Sequence, residues 1–363
     1  MNDFQSIKDK WQTSLNKSLD NNVFSTWEWL STWWKYFGKA KRLVILLVEE
    51  KNDVLAIVPF MLSKYKFLRC GTLRKISFVG SPESDYNTFI LQKKEVKIIE
   101  AFFDYLNNYI DWNYLELECL PETSVSANLL RRISREKTYK KWDERVHWVC
   151  PYVSLPRSMN TFMKKQLGRK TRKNLRRYLR KLERRSCVKL KKYCEIGAVN
   201  EAMEIFFQLH KKRWELTGKP GAFNTLLLRD FHKDIAEQFD ENGWLGLYFL
   251  TINDEPISAT YNFEYNQKTY GYQSGFDPKY ADYSVGTLTM MFLIEKCIQK
   301  GLTEVDLLRG AETYKSRWTS KARKNLKMTY AQSGLFSNTY DFVNKHNPFK
   351  KLQARYMERL LIT

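Results

Sequence analysis

Histidine and cysteine are scarce in this sequence, and neither is arranged as a metal site. The 363 residues include only four His, which lie far apart, and six Cys without a CxxC pair. Zinc sites need closely spaced Cys or His ligands, so the sequence predicts no metal. Free, mostly buried thiols are typical of a reducing compartment. The cysteines are Cys70, Cys119, Cys150, Cys187, Cys194 and Cys297.

Long apolar runs are also absent. No stretch approaches the roughly 18–20 apolar residues that span a bilayer. The opening stretch, MNDFQSIKDKWQTSLNKSLD, is polar with both charge signs. A signal peptide has an apolar segment at this place, so we expect a cytoplasmic protein. Association at a membrane surface stays open because of the charge described next.

Acidic residues are too few to balance the basic ones. The 61 Lys and Arg and 40 Asp and Glu give a net charge of +21. Between Lys164 and Lys192, fifteen basic residues stand against one acid, Glu183. Such a concentration predicts contact with polyanions: nucleic acid, phosphorylated ligands or an anionic membrane surface.

Length and hydrophobic pattern predict two domains that mix helices and strands. A chain this long exceeds one ordinary core. In the first half, a helical pattern in FSTWEWLSTWWKYFG precedes the strand pair RLVILLVEE and VLAIVPFML. The amphipathic helix EVKIIEAFFDYLNNYI and the strand WNYLELECL follow, then an irregular stretch to about residue 145 and the strand HWVCPYVSL.

The second half predicts a different order, helices first and strands afterwards. A basic helical arm with a narrow apolar stripe leads into two helices, and Arg213 and Trp214 end the first of them in a loop that can cover a cleft. Three strands come next, then the helix VGTLTMMFLIEKCIQK, the strand TEVDLLRG, the short turn TYKSRW and a final strand, LKMTYAQSG. The three strands are WLGLYFLTI, ISATYNFEY and TYGYQSGF.

The helix that follows DPKYADYS has the features of an anion site. Its first amides have no intrahelical acceptor, and the helix dipole adds roughly half a positive charge. The small residues Ser284, Gly286 and Thr287 let a phosphate approach the backbone. In the alternative interpretation, Ser284 is an N-cap and Gly286 a packing residue.

The strand order, this helix start and DLLRGAETYKSRW together resemble the GNAT superfamily of acyl-CoA N-acyltransferases. Within it, the chain looks like the CelD-type (cellulose biosynthesis) acetyltransferase branch. Three further stretches also resemble that branch: VFSTWEWLSTWWKYFG followed by a strand pair that ends in IVPF, the stretch SDYNTFIL, and the arm KKQLGRKTRKNLRRYLRKLER. The resemblance extends to Fem-type peptidyltransferases, in which an aromatic residue and a lysine comparable to Tyr314 and Lys315 follow the fifth strand of the second domain.

The resemblance implies an α/β (α+β) fold of tandem GNAT-like domains, each a mixed, mostly antiparallel sheet flanked by helices. A degenerate N-terminal domain would cover residues 1–153. The acyltransferase domain would cover 154–336, with the basic helical arm at 160–192, and a basic helical tail would follow at 337–363. In such domains the fourth and fifth strands splay apart and the thioester lies between them.

Carried over by position, the resemblance implies a site for the diphosphate of acetyl-CoA or another acyl-CoA. The usual phosphate motif has Gln or Arg, then Gly, then Gly or Ala; here those places hold Ala281, Ser284 and Gly286, and only the last matches. The implied donor-binding residues are Lys279, Tyr280, Ser284, Val285, Gly286 and Thr287.

Acyl transfer to an amine needs a base for the ammonium proton and a donor facing the developing oxyanion. We expect Glu312 as general base, with Asp306 as second choice. Lys315 would stabilise the oxyanion or bind an anionic substrate group, and Tyr314 would protonate the leaving thiolate. The alternative is structural: Asp306 pairs with Arg309, while Tyr314 and Trp318 pack beneath the sheet.

Acceptor binding is assigned to two places. Asp85 and Tyr86, in GSPESDY, lie on a loop before a strand and would line the acceptor cleft; alternatively, Asp85 only caps a turn. Arg309, at the strand end near the expected base, would bind substrate as well.

Three interpretations of the basic segment 164–192 remain open. It is a solvated helical face, a surface that docks on anionic lipid or on a lipid-linked phosphorylated glycan, or a site for tRNA that carries the acyl group. Only Tyr178 interrupts the basic run, which disfavours recognition of single strands by stacking. No DNA-reading motif is present, so sequence-specific DNA binding is not expected.

These inferences predict an acyl-CoA-dependent N-acyltransferase that acts on an amine of a sugar or cell-envelope precursor by direct transfer. A thioester is already activated, and no nucleophile-elbow pattern is present. Two alternatives remain: a Fem-like transferase that uses aminoacyl-tRNA, and a non-catalytic polyanion-binding protein on a GNAT scaffold.

Overall fold

The computed structural model describes residues 2–51, 53–67, 71–136, 142–184 and 187–331. The predicted tail at 337–363 lies outside these residues. The strands of the described residues are β1 Lys41–Glu50, β2 Asp53–Phe67, β3 Gly71–Phe78, β4 Ile90–Leu91, β5 Tyr114–Pro121, β6 Trp142–Ser154, β7 Val188–Lys192, β8 Leu245–Ile252, β9 Glu255–Tyr265, β10 Lys268–Phe276, β11 Glu304–Asp306 and β12 Ala322–Ala331.

Helices separate these strands. Their bounds are α1 Asn2–Gln5, α2 Lys8–Asn16, α3 Trp27–Phe37, α4 Val96–Tyr109, α5 Val125–Glu136, α6 Met159–Lys165, α7 Arg169–Glu183, α8 Val199–Glu215, α9 Leu226–Glu241 and α10 Val285–Gln299. Among the described residues, no helix has both the length and the hydropathy needed to cross a membrane.

The chain divides into two compact units. The first comprises the described residues up to Trp148 and those from Lys324 onward, and the second is Val149–Arg323. The predicted boundary after residue 153 falls in the same strand, β6, as the observed division. The predicted assignment of residues 324–331 to the second domain differs from this division, because β12 pairs with β5 of the first unit.

In the first unit, β1, β2 and β3 are antiparallel, β5 is parallel to β3, and β12 is antiparallel to β5. The helix α4 connects β3 to β5, because parallel neighbours need a crossover. Apolar residues of the strands, α4 and α5 form one core that includes Phe60, Phe102, Trp112 and Leu130.

The second unit repeats this order. β8, β9 and β10 are antiparallel, α10 crosses over, β11 is parallel to β10, and β6 is antiparallel to β11. The edge strand β7 is added beside β8. Both units are therefore mixed sheets flanked by helices, which confirms the predicted fold class.

Helices cover both faces of the second sheet. Alternate residues of a strand point to opposite faces: Tyr261 of β9 packs against Phe206 of α8 and His232 of α9. On the other face, Ser258 of β9 bonds Thr289 of α10, and Leu250 of β8 shares a core with α6, α7 and α10. This arrangement places the start of α10 and the end of α8 on opposite faces of the sheet.

The basic segment is not one helical arm. The structure has α6, a break at Gln166–Gly168, α7, and then the strand β7, where the sequence predicted helix as far as residue 192. Val188 and Leu190 alternate with lysines and pack on the core of this face. A two-residue period favours a strand, which explains the difference.

Candidate functional site

The pairing of β10 with β11 ends early and leaves an open edge. The two strands pair over three residues, from Lys268 with Glu304 to Tyr270 with Asp306. β10 then continues through Gly271–Phe276, paired with β9 on its other side. We call Gly271–Phe276 the open edge; it corresponds to the gap that the resemblance implied between the fourth and fifth strands.

Arg213 reaches this open edge from the end of α8. Its Nη1 donates to the carbonyl oxygen of Ser274 at 3.0 Å and to the Ser274 hydroxyl at 2.7 Å. α8 lies so close to β10 that a Cβ at Gly275 would come within 2.3 Å of the His210 backbone nitrogen. Glycine at position 275 therefore permits the approach that brings Arg213 to the edge.

His210 supports the same wall without carrying charge. Burial, with the nearby Arg213 charge as a second cause, lowers the pKa of His210 to about 4. Its Nε2 accepts a hydrogen bond of 2.8 Å from the Trp214 indole nitrogen, and its ring also bonds the Gln273 side chain. At neutral pH it is therefore a neutral residue that orders this end of α8.

On the other face, α10 starts with an unusual backbone turn. Ser284 adopts φ 51° and ψ 44°, and its carbonyl oxygen accepts from the amides of Thr287 and Leu288. In the first turn of a helix the amides of Val285 and Gly286 have no intrahelical acceptor. Gly286 is exposed, and the nearest atom to a Cβ built there is a Phe276 ring carbon at 3.8 Å. The backbone at Gly286 is thus open to approach by a ligand.

The start of α10 carries neighbouring hydroxyl and cationic groups from distant parts of the chain. Arg317 donates from Nη1 to the Thr287 hydroxyl at 2.7 Å, and Tyr178 of α7 bonds the Ser284 side chain. The predicted donor segment 284–287 is therefore in contact with the loop that carries the predicted catalytic residues Glu312, Tyr314 and Lys315.

Lys279 and Tyr280 lie on the turn before α10. The Lys279 side chain is exposed, and its amide donates to the Asp277 carboxylate. Tyr280 lines a cavity of about 340 Å³ together with residues of α7, the turn between β8 and β9, and the same turn before α10. The polar and aromatic residues of its wall are Lys181, Asn253, Glu255, Tyr280 and Tyr283.

The loop after β11, residues 307–318, closes around a buried lysine. Lys315 is 3% exposed. Its Nζ donates to the carbonyl oxygens of Leu308, Arg309 and Gly310 at 3.3, 2.8 and 3.1 Å. Positive φ angles at Leu308 (56°) and Gly310 (107°) turn these carbonyls toward the ammonium group. Lys315 thus holds the loop in shape as well as placing a charge beneath it.

Glu312 is the fourth oxygen partner of Lys315. Its Oε2 lies 2.8 Å from Nζ, while 56% of its side chain is exposed. A Cβ at Gly310 would come within 2.6 Å of the Glu312 carboxylate, so glycine at this place lets the carboxylate fold back over the loop. Glu312 therefore has one face on the lysine and one face on solvent, the arrangement that a mobile base needs.

Tyr314 exposes part of its ring, but its hydroxyl group is desolvated. This burial, with the Glu312 charge as a second cause, raises the pKa of Tyr314 to about 12, and the charge of Arg213 acts in the opposite direction. The Arg213 charge is thus near enough to act on the Tyr314 hydroxyl. The Tyr314 hydroxyl is protonated at neutral pH and can donate a proton.

Asp306 is buried in an ion network. Its carboxylate accepts from the Leu308 amide at 2.9 Å and from Arg323 Nη1 at 2.7 Å, and Arg323 also pairs with Glu304. These contacts fix the turn out of β11. Arg309, the pairing partner considered for Asp306, is half-buried, and its carbonyl oxygen is one of the three that bind Lys315.

Asp85 and Tyr86 belong to the first unit and are buried there, at 3% and 4% exposure. The Asp85 carbonyl oxygen accepts from the Asn325 side chain at 2.7 Å. Next to them, Ser84 accepts from the Trp29 indole nitrogen at 2.8 Å. The loop is thus built into the core of its own unit.

Sequence reasoning did not assign Arg213 or Arg317 to the site. The signal for Arg213 was present, since Arg213 and Trp214 end a helix beside a loop rich in Gly and Pro. The contact between Arg317 and Thr287 joins residues thirty positions apart, and no local pattern reports such a contact.

Residues 169–316 match the family model of the acetyltransferase (GNAT) domain. A search of curated protein sequences found no match. Among solved structures, the chain is similar to FemX, with a TM-score of 0.65 and 11% identity, covering 93% of this chain and 98% of FemX.

Two further solved structures are similar over most of the chain. The C-terminal domain (DUF2156) of a putative lysylphosphatidylglycerol synthetase from Agrobacterium fabrum has a TM-score of 0.57 and 8% identity, with 94% of this chain and 96% of that chain covered. L-PGS from Bacillus licheniformis has a TM-score of 0.55 and 11% identity, with 93% and 96% covered. At such identities the likeness concerns the fold. The chain therefore has a GNAT-like fold, in which residues 169–316 match the acetyltransferase (GNAT) domain model.

Proposed function

We propose that the protein is an acyl-CoA-dependent N-acyltransferase that transfers an acyl group, with acetyl as the first candidate, to an amine. The observation that carries this proposal is the hydrogen bond between Arg317 and Thr287. This bond connects the start of α10, which suits a diphosphate, with the loop 307–318. That loop holds the carboxylate of Glu312, the phenol of Tyr314 and the ammonium group of Lys315.

The residues at the start of α10 fit the diphosphate of a CoA donor. The amides of Val285 and Gly286 and the guanidinium of Arg317 offer hydrogen bonds and positive charge. The exposed Gly286 backbone leaves room for the phosphate oxygens. Arg317 would supply the positive charge that the usual motif takes from the place of Ala281. The cavity beside Tyr280 would hold the nucleotide end.

Glu312 would act as the base. Its carboxylate turns from Lys315 toward the acceptor ammonium group and takes the proton, which leaves the amine lone pair free to attack the thioester carbon. The Nζ proton of Lys315 that faced Glu312 then faces the carbonyl oxygen of the donor. The other two Nζ protons stay shared among the carbonyl oxygens of Leu308, Arg309 and Gly310, so the charge is preorganised for the oxyanion.

Tyr314 would complete the transfer. As the carbon–nitrogen bond forms and the carbon–sulfur bond breaks, the leaving sulfur takes the proton of the Tyr314 hydroxyl, and the new amide nitrogen gives its second surplus proton to the Tyr314 oxygen. Glu312 releases the ammonium proton to solvent at its exposed face, so both residues return to their starting states. The raised pKa keeps this hydroxyl protonated at neutral pH, which supports the role.

The acceptor class is part of the same proposal. The resemblance to CelD-type acetyltransferases favours an amine of a sugar or of a cell-envelope or exopolysaccharide precursor, including a lipid-linked glycan. Arg213, on the open edge and electrostatically linked to Tyr314, would bind an anionic group of this acceptor. Arg309 remains a predicted substrate contact.

A mass-spectrometric screen of acyl-CoAs against amino sugars and envelope precursors tests this proposal. We expect an acylated product and release of free CoA in equal amounts. Thermal unfolding in the presence of each acyl-CoA provides a second measurement, because a ligand that binds only the folded state raises the melting temperature. No stabilisation and no product with any acyl-CoA would contradict the proposal.

The likeness to FemX over 93% of the chain favours a second candidate, a Fem-like transferase that uses aminoacyl-tRNA. The two candidates predict opposite donors. Acylation of an acceptor from purified charged tRNA, with none from acyl-CoA, would select the second. Release of CoA without any requirement for tRNA would select the first.

A further inference from the structure

The helix α7 has one face built into the domain. Leu175 and Leu182 are buried in the core shared with α6 and α10. Arg172 donates to the carbonyl oxygens of Met163, Lys164 and Leu167, which closes the break between α6 and α7. The helix is therefore held rigidly by its inner side.

The opposite face of α7 carries positive charge along its whole length. At 100° per residue, these cations lie roughly opposite Leu175 and Leu182, spread over about one third of the helix circumference. A helix of this length measures about 22 Å. The exposed cations, which we call the basic face, include Lys170, Lys173, Arg176, Arg177, Arg180 and Arg184.

No acid neutralises the basic face within the described part of the chain. Its six cations form no ion pair with any described acidic side chain, and Glu183 is the single acid of the helix. Two lysines elsewhere in the second unit are paired by contrast: Lys212 with Asp277 at 2.6 Å and Lys191 with Asp254 at 2.7 Å. The lack of counter-charges extends along the whole basic face.

We propose that the basic face of α7 docks the protein on an anionic lipid bilayer. Such a surface attracts clustered Lys and Arg side chains, and each cation near it adds to the attraction. Recognition of single-stranded nucleic acid requires aromatic platforms. Tyr178, the aromatic residue of α7, bonds Ser284 and contacts the Arg177 guanidinium, so one ring borders the basic face and no row of stacking platforms is present on this helix. The geometry therefore fits a lipid surface better than RNA.

Docking would orient the candidate site. Lys181 of α7 lies 4.6 Å from the centre of the Tyr283 ring, beside the cavity near the start of α10. The same helix thus borders the proposed donor cavity on its inner side and would rest on the lipid on its outer side. The docking itself does not depend on the proposed reaction.

Sedimentation with vesicles tests this proposal without any activity assay. The wild-type protein should bind vesicles of phosphatidylcholine and phosphatidylglycerol, ignore vesicles of phosphatidylcholine alone, and dissociate as salt is added. The variant Lys173→Gln, Arg177→Gln, Arg180→Gln should bind the anionic vesicles roughly a hundredfold more weakly, at about fivefold per cation.

The matched control removes the same charge from the other face of the sheet. Lys211→Gln, Lys219→Gln, Lys233→Gln changes residues in or after α8 and α9, and we expect binding within about threefold of wild type, since charges beyond a Debye length of about 10 Å are screened. Melting curves check that both triple variants are folded. If the α7 variant is unfolded, the dependence of wild-type vesicle binding on salt and on anionic lipid still tests the proposal.

Three results would overturn the proposal: no preference of the wild type for anionic vesicles, equal losses in the two triple variants, or binding of tRNA that excludes vesicles. The last result would identify the basic face as an RNA surface.

Discussion

The ammonium nitrogen of Lys315 lies 2.8 Å from the Glu312 carboxylate and 2.8 Å from the carbonyl oxygen of Arg309. The lysine is thus both the centre of the loop after β11 and the nearest charge to the candidate base. The two roles can be tested separately. A substitution at the exposed Glu312 removes the candidate base and leaves the contacts between Lys315 and the backbone carbonyl oxygens in place.

Lys315→Met should lower kcat/KM at least a hundredfold, because it removes the preorganised charge for the oxyanion. It should also lower the free energy of unfolding by about 1–3 kcal/mol, because buried carbonyls lose their donor. Steady-state kinetics and urea unfolding measure the two effects. Lys321→Met, at an exposed position, is the control; kinetics equal to wild type in Lys315→Met would contradict the assignment.

Glu312→Gln should lower kcat by a factor of about 10²–10⁴, because the amide cannot accept the ammonium proton. Stability should change little, since an exposed ion pair contributes about 0–1 kcal/mol and Glu312 is 56% exposed. Glu215→Gln, which removes an exposed carboxylate of α8, serves as control. If Glu312→Gln and Lys315→Met both turned over substrate normally, the site would lie elsewhere.

The rate should stay level through pH 10, the ordinary pKa of tyrosine. Burial of the Tyr314 hydroxyl raises its pKa to about 12, so the folded protein keeps this proton while an unfolded chain releases it above pH 10. A pH profile of kcat for wild type and Tyr314→Phe measures this. We expect the variant to be at least tenfold slower. A wild-type rate that falls near pH 10, with the fall missing in Tyr314→Phe, would show that the pKa is not raised.

Arg317→Met should raise KM for the acyl-CoA by about 10- to 100-fold and leave kcat nearly unchanged, because a hydrogen bond to a charged group contributes about 1.5–3 kcal/mol. Initial rates at varied donor concentration measure the change. Arg157→Met, also an exposed arginine of the second unit, should behave as wild type. A loss confined to kcat would place Arg317 in the chemistry instead of donor binding.

Local patterns predicted the second sheet well. Apolar residues that recur every two residues indicate strands, and those that recur every 3.6 residues indicate helices. These local patterns predict the run of three strands, a crossover helix and a further strand. The same patterns missed α5: the sequence interpretation left residues 125–136 irregular, although Leu130 and Ile133 lie one turn apart and are buried.

Long-range contacts explain what the sequence could not predict. β12 resembles a last strand of the second domain in sequence, yet it pairs with β5, more than two hundred positions earlier. The burial of Lys315 depends on the positive φ angles of Leu308 and Gly310. Lysine is almost never fully buried without partners, so a sequence pattern gives no reason to expect burial here. The sequence identified Lys315 as a candidate site residue, but it did not predict the three backbone carbonyl oxygens that bind it.

Gly286→Glu gives the most direct test of the central claim. Glu is favoured over Gly in a helix by up to about 1 kcal/mol, and position 286 is exposed, with a Phe276 ring carbon at 3.8 Å as the nearest atom to a Cβ there, so the free protein should be at least as stable as wild type. Calorimetric titration with acetyl-CoA should show binding to wild type and at least tenfold weaker binding to Gly286→Glu, because the carboxylate occupies the place of the phosphate oxygens and repels their charge. Equal affinities for the two proteins would contradict a donor site at the start of α10.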